Sequence, residues 1–221
     1  MSISAILVAG GVGTRMKATT PKQFLLLKTK PIALYSFETL GACPRIREII
    51  VVCDPQYRFL FPVSPAVKFA IPGTRRQDSV YNGVQLLSPD CEYVCIHDSA
   101  RPFLTATDLE NILDAAIAHG AATLAIPAKN TIKEEDGSGF IHRTLDRSKL
   151  WEMFTPQVAK VSLLKQGFAI AQANQLDVTD DNALIELIPH PVRLVRGSAS
   201  NIKITVPEDW QIAETLVSFH D

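Results

Sequence analysis

The chain has 221 residues, with 22 Lys plus Arg against 23 Asp plus Glu and a formal net charge of −1. That balance speaks against a general nucleic-acid or membrane surface, so any positive charge that matters for function is local. At this length an α/β interior needs no disulfide or metal staple, and one domain over 1–221 is the expectation.

Met1 and Ser2 lead at once into strand-like sequence, with neither the pattern of a signal peptide nor an Arg/Ser-rich transit stretch. No apolar run approaches the length of a bilayer span. The expectation is a cytoplasmic protein. Its cysteines agree: Cys53 and Cys95 sit in apolar strand runs, where a reduced thiol acts as a small hydrophobe. Cys91, Cys95 and His97 make a poor metal site, because Cys91 and Cys95 would be roughly 13 Å apart on an extended strand.

Residues 3–9 form an apolar run with the length and bounds of a buried strand, which empties into a turn containing Gly10, Gly11 and Gly13. Glycines there let backbone N–H groups from Ala9 onward approach an anion with no Cβ in the way, and Arg15 and Lys22 add mobile positive charge. This is an arrangement for holding a polyphosphate. Two better-known phosphate loops do not fit. A dinucleotide fingerprint starting at Gly11 would need glycine or alanine where Met16 stands, and no Gly-Lys-Ser/Thr follows.

A helix is expected over about 32–42, with Pro31 in its first turn, followed by a buried strand over 48–54. Residues 55–65, with three prolines, read as an irregular or briefly helical connection, and 67–71 as a short strand ending at Pro72-Gly73. The next helix reaches about 87 and is capped by Gln77 or Asp78; the same charged segment, 73–79, could line a site at the carboxyl edge of the sheet. Residues 93–97 are a strand that delivers Asp98 and Arg101 to that edge. Asp98 is either an ion-pair partner of Arg101 or, beside a polyphosphate loop, a carboxylate that orients hydrated Mg²⁺ or another divalent cation.

Thr107 to Glu110 reads as a capping box for a helix ending near 119–120, and 121–126 is the next strand. Between 127 and 150 two short alternating runs flank Asp136-Gly137, a hairpin too polar to stand as a core element. Helices follow over 161–174 and 179–188, closing strands at 192–195 and 202–205, and a last helix from Pro207. Lys203, between Ile202 and Ile204, points to solvent or to a pocket. Strands alternating with helices predict a doubly wound, mostly parallel α/β sandwich with one projecting β-hairpin arm at about 127–150.

The run Leu7-Val8-Ala9-Gly10-Gly11-Val12-Gly13-Thr14-Arg15-Met16, with Pro21-Lys22-Gln23 after it, resembles the signature of sugar-phosphate nucleotidyltransferases. His97-Asp98-Ser99-Ala100-Arg101-Pro102, Thr155-Pro156-Gln157, Thr179-Asp180-Asp181 and Asn201 to Thr205 narrow the likeness to the polyol-phosphate cytidylyltransferase family. The resemblance implies a Rossmann-like nucleotidyltransferase fold and a reaction of CTP with a polyol phosphate, methylerythritol phosphate in the better-fitting branch, releasing pyrophosphate. It implies that Gly73 and Ser79 line the pyrimidine and that Lys203 touches the α-phosphate. It further implies a loop over 154–157 that puts Thr155 near the acceptor, with Asp98, Ser99 and Arg101 in the substrate site and Asp98 reaching the metal through water. The 127–150 arm would embrace a second subunit and place Thr131 and Arg147 in its active site. Ser99 replaces an alanine usual in methylerythritol phosphate members and speaks for ribitol phosphate. Two other readings stand. A nucleotide-sugar glycosyltransferase would want an Asp-x-Asp motif at a strand edge, which is missing. A CTP-binding regulator would bind without turnover.

Overall fold

The computed structural model describes residues 1–11 and 20–218. In chain order, β1 (Ile3–Val8) is followed by the short strands β2 (Leu26–Leu27) and β3 (Lys30–Pro31), then α1 (Ile32–Ala42), β4 (Ile46–Val52), β5 (Val67–Ala70), α2 (Arg76–Val84) and β6 (Tyr93–Asp98). The second half runs α3 (Ala106–His119), β7 (Ala121–Pro127), β8 (Lys133–Glu135), β9 (Ile141–Thr144), β10 (Trp151–Lys160), α4 (Val161–Ala173), α5 (Asp181–Glu186), β11 (Arg193–Arg196) and α6 (Pro207–Val217).

Seven strands form one sheet in the order β11-β7-β10-β6-β1-β4-β5. All pairings are parallel except those of β10, which runs antiparallel to both β6 and β7. The expected mostly parallel, doubly wound sheet is therefore present. From β1 the chain builds outward through β4 and β5, then returns to lay β6 on the other side of β1. Strand order reverses between β1 and β6, and open α/β sheets bind ligands in the crevice at that point, beyond the strands' carboxyl ends.

The alternation of β1 explains the layering. Ile3, Ala5 and Leu7 pack on one face with residues of α1 and α3, such as Leu40 and Ile112, while Ile6 packs on the other with Val80, Leu164 and Phe168. Because both faces are covered, the strand reads as a continuous apolar run. A smaller cluster, Leu27, Ile32, Phe103, Ile204, Ala213 and Val217, docks α6 beside the sheet.

Several local expectations are corrected. Helix α2 is capped at Arg75, whose backbone N–H donates to Asp78 Oδ2 at 3.0 Å, so Asp78 serves from inside the first turn. Helix α3 starts before Thr107 because Thr105 Oγ1 already accepts from Asp108 N at 3.0 Å. Residues 154–157 lie within strand β10; Pro156 falls in the irregular stretch between Met153 and Gln157, where its missing N–H removes no ladder bond. Residues 202–205 form no strand; Ile204 N donates to Ala100 O at 2.9 Å while its side chain fills the small cluster. The arm is a hairpin of β8 and β9, but its loop is longer than Asp136-Gly137 alone. Asp136 Oδ1 accepts from Ser138 N at 2.8 Å and Phe140 N at 3.2 Å, with Gly137 and Gly139 at φ of 88° and 93°.

Candidate active site

At the switch point a cavity of about 370 Å³ opens, lined on one wall by Val8, Gly10 and Gly11 and on the other by Asp98, Ser99 and Ala100. Register puts them level, since Val8 lies opposite Asp98 across the β1–β6 pair. The rest of the lining includes Lys22, Gly73, Ser79 and Lys203, so eight of the residues expected from sequence converge: Gly10, Gly11, Lys22, Gly73, Ser79, Asp98, Ser99 and Lys203. Arg15 and Gly13 lie outside the described residues.

Lys22 is set by its neighbours in a short 3-10 turn over Lys22–Phe24. Gln23 Nε2 donates to Ala9 O at 2.7 Å and Gly11 O at 2.8 Å, stapling the exit of the glycine loop to its entry. Phe24 stacks on Tyr57 with ring centroids 4.0 Å apart. Ala9 thus acts through its backbone, its N–H donating to Val52 O at 2.8 Å and its carbonyl held by Gln23. On the facing wall Gly73 N donates to Ser79 Oγ at 3.0 Å. A Cβ on Gly73 would fall 2.4 Å from Asp78 Cβ, so only glycine permits this close turn.

Asp98 is the centre of the charge arrangement. Its Oδ1 accepts from Arg76 Nε at 3.1 Å and its Oδ2 from Lys203 Nζ at 2.7 Å, with Arg101 Nε 4.0 Å away. Burial by itself would raise this carboxyl, but Arg76, Lys203 and Arg101 outweigh it and hold Asp98 well below the usual carboxylate range. Arg76 also grips buried Asp181 with both terminal nitrogens, at 3.0 and 2.8 Å. Gln157 Oε1 accepts from Asp181 N at 2.8 Å and fixes the start of α5, which carries Asp181.

Thr155 and Arg101 lie behind the cavity and do not line it. Thr155 Oγ1 accepts from Asp98 N at 3.0 Å and meets His97 Nδ1 at 3.1 Å, while His97 Nε2 meets Arg101 O at 3.1 Å. Burial depresses His97 to about 4, so the imidazole is neutral at pH 7. A neutral ring next to the Arg101 carbonyl carries its proton on Nε2 and accepts the Thr155 hydroxyl proton at Nδ1. Arg101 Nη1 donates to Asn201 O at 2.8 Å, and its guanidinium stacks over Phe154 at 4.7 Å. Both residues, expected at the substrate, hold the strand end that presents Asp98.

Ser99 Oγ donates to Val8 O at 2.8 Å. The hydroxyl proton that set this chain apart from methylerythritol phosphate members is thus committed to the backbone. Thr131 and Arg147 are exposed and lie away from this cavity; Arg147 lines a separate one with Lys129 and Arg196.

Among the described lining residues, Lys22, Arg75, Arg76 and Lys203 face one carboxylate, Asp98, so the cavity favours an anion. No group of three or more His, Cys, Asp or Glu gathers among the described residues. That donor set fits an ion carried by phosphate oxygens and reached by one carboxylate through water, in the way Mg²⁺ usually binds, and does not fit an all-protein cage. Arg76 and Asp181 fall in segments that sequence reasoning singled out, 73–79 and Thr179-Asp180-Asp181, but neither was given a role. The signal was present in part: a cation in the first turn of a helix opposes the helix dipole and needs a reason to be there.

The family model described as IspD, 2-C-methyl-D-erythritol 4-phosphate cytidylyltransferase, matches residues 3–218. A relative of that description from Oryza sativa subsp. japonica, chloroplastic, is 48% identical over 98% of this chain and 75% of its own length. One from Chlamydia pneumoniae is 44% identical over 97% of this chain and 98% of its own. Among solved structures, the 4-diphosphocytidyl-2C-methyl-D-erythritol synthase of Anaerococcus prevotii superposes with a TM-score of 0.87 at 27% identity, covering 98% of both chains. The 2-C-methyl-D-erythritol 4-phosphate cytidylyltransferase of Thermus thermophilus gives 0.82 at 29% identity, covering 99% of this chain and all of that one. A glycine loop held level with an anion-facing carboxylate, in a chain matched over nearly its full length, identifies a member of the 2-C-methyl-D-erythritol 4-phosphate cytidylyltransferase family.

Proposed function

We propose that this protein joins CTP and 2-C-methyl-D-erythritol 4-phosphate, giving 4-diphosphocytidyl-2-C-methyl-D-erythritol and pyrophosphate in the non-mevalonate isoprenoid route. The observation that carries the reading is the convergence of Lys22, Arg76 and Lys203 on one cavity beside Asp98 at the sheet's switch point. An oxygen of the alcohol's phosphate attacks the α-phosphorus of CTP, and the bond from that phosphorus to the β-phosphate oxygen breaks. The attacking oxygen is already ionised at neutral pH, so no strong general base is needed. What remains is to bring two anions together and stabilise charge on the α-phosphate and leaving pyrophosphate.

Lys22 and Arg15 hold the triphosphate, the amides of Gly10 and Gly11 face it while that of Ala9 is spent on Val52 O, and Gly73 and Ser79 receive the pyrimidine. Lys203 orients the α-phosphate. Mg²⁺ or another divalent cation bound to the triphosphate would neutralise charge on the leaving group, with Asp98 reached through water. The committed proton of Ser99 removes the main argument for ribitol phosphate.

The reading includes a homodimer. Strands β8 and β9 pair only with each other among the described residues, and Phe140 and Ile141 at the arm are 72% and 67% exposed. The arm reaches a second copy and lends Thr131 and Arg147 to its site. No described helix is long and apolar enough to cross a membrane; a cytoplasmic setting is part of the proposal.

The test offers each of the four nucleoside triphosphates with methylerythritol or ribitol phosphate and Mg²⁺, and follows pyrophosphate release. Rapid release is expected only from CTP with methylerythritol phosphate. Preference for ribitol phosphate would reverse the acceptor assignment, and CTP binding without any release would make the protein a regulator.

A further inference from the structure

In this structure Lys203 is held by Asp98 at 2.7 Å, yet the proposed reaction needs its ammonium on the nucleotide. We infer that Arg76, clamped by Asp181, is the positioning residue that keeps Asp98 neutralised while Lys203 passes to the α-phosphate. The inference rests on the proposed role of Lys203.

Three features support it. First, Arg76 divides its donors: both terminal nitrogens are taken by Asp181 and Nε by Asp98, so its guanidinium plane is fixed from two sides. Lys203 has a flexible stem and a side chain 36% exposed, against 25% for Arg76, so it is the partner free to move. Second, Asp98 is 7% exposed, and a buried carboxylate left without a cation is strongly unfavourable. Without Arg76, phosphate could draw Lys203 away only by leaving that charge to Arg101 Nε alone, which lies 4.0 Å off and makes no hydrogen bond to it. Third, placing Arg76 in the first turn of α2 sets it against the helix dipole, and the buried Asp181 offsets this.

A double-mutant cycle separates this role from a simple loss of positive charge. Removing Arg76 alone would leave Asp181 buried and unpaired, so the cycle is built on Asp181→Asn, with melting temperature confirming that each variant folds. Calorimetry then gives the Kd of CTP with Mg²⁺ for that background and for it with Arg76→Gln, with Asp98→Asn, and with both. Arg76→Gln should weaken binding at least tenfold when Asp98 is present and less than twofold in the Asp98→Asn protein. Arg76→Lys should recover part of the loss. Equal weakening in both backgrounds would mean that Arg76 acts on the phosphates directly and would overturn the inference. The cause of failure stays identifiable: Lys203→Ala with normal CTP binding and turnover would remove the role assigned to Lys203 itself.

Discussion

Gly10 and Gly11 are adjacent in one loop, yet the structure predicts different faults when each is changed to alanine. An ideal Cβ on Gly10 would lie 2.5 Å from Pro72 Cβ and 2.7 Å from Pro72 Cγ, atoms of a rigid ring. Restoring ordinary contact requires a shift of roughly 1 Å, and overpacking of this kind costs about 1–3 kcal/mol. For a chain of this size that corresponds to a fall in Tm of about 2–12 °C. The shift is passed to Gly73, the next residue, on the wall proposed to receive the pyrimidine; a displacement of about 1 Å there should cost on the order of a hundredfold in kcat/KM. On Gly11, which lines the cavity, a Cβ would meet no described atom within 4 Å. Gly11→Ala should leave Tm within about 1 °C, since it disturbs no packing among the described residues, and should still lower kcat/KM by obstructing the proposed triphosphate site. Thermal denaturation and pyrophosphate release on both variants decide the matter. If Gly10→Ala melts and turns over like the parent, or Gly11→Ala loses as much Tm as Gly10→Ala, the account of the loop is wrong.

Lys22→Ala and Arg15→Ala should each lower turnover on the order of a hundredfold, as removal of a transition-state donor does; near-normal rates would refute both assignments. If the arm serves the neighbouring site, mixing inactive Lys203→Ala and Arg147→Ala proteins should restore roughly a quarter of normal activity after subunit exchange, because half the dimers are mixed and each has one intact site. No recovery, in a dimer shown to exchange, would confine Arg147 to its own subunit. At the opposite end of the sheet Glu48 is buried and hence pushed upward, yet bonds from Lys68, Ser88 and Ser4 bring it down to about 2. A depressed carboxyl stabilises the fold above its unfolded value near 4.5 and loses that contribution as pH falls towards 2, here on the order of 3 kcal/mol. At pH 3, still above the folded value, roughly 2 kcal/mol of this should be gone, and urea titrations at pH 7 and pH 3 should show that loss in the parent and a smaller one in Glu48→Gln.

What the sequence could reveal depended on how local the physics was. The glycine loop and the strands flanking it were legible because apolar runs buried on both faces and glycine turns announce themselves in adjacent letters. The role of Gln23 was not, since its two bonds reach back to Ala9 and Gly11 across the loop. Arg76 and Asp181 stand 105 positions apart and meet only when α5 docks against α2. Strand β10 was missed because the loop expected over 154–157 came from the family likeness, and no local pattern reveals that Pro156 falls where the ladder already lapses. Residues 202–205 show the converse. Their alternation correctly predicts that Ile204 is buried and Lys203 turned away, but alternation reports a buried side and not a partner strand.

The same contrast explains how a chain of near-zero charge builds a cationic site. β1 and β6 become neighbours only because the chain reverses its direction of growth, and that reversal sets the glycine loop opposite Asp98. Neither supplies Lys203. It arrives from the far end of the chain, on a segment held by the bond from Ile204 N to Ala100 O, by buried Asn201, which accepts from Arg101 Nη1 and donates to Thr155 O, and by the apolar cluster under α6. The proposed binding groups therefore come from two layers of the fold. The sheet and α2 fix Asp98 and Arg76, while six buried residues, Leu27, Ile32, Phe103, Ile204, Ala213 and Val217, pack beside the lysine's segment, which Asn201 ties back to the sheet. The inferred change of partner then asks only the exposed stem of Lys203 to move, since its backbone is anchored and Arg76 is clamped by Asp181.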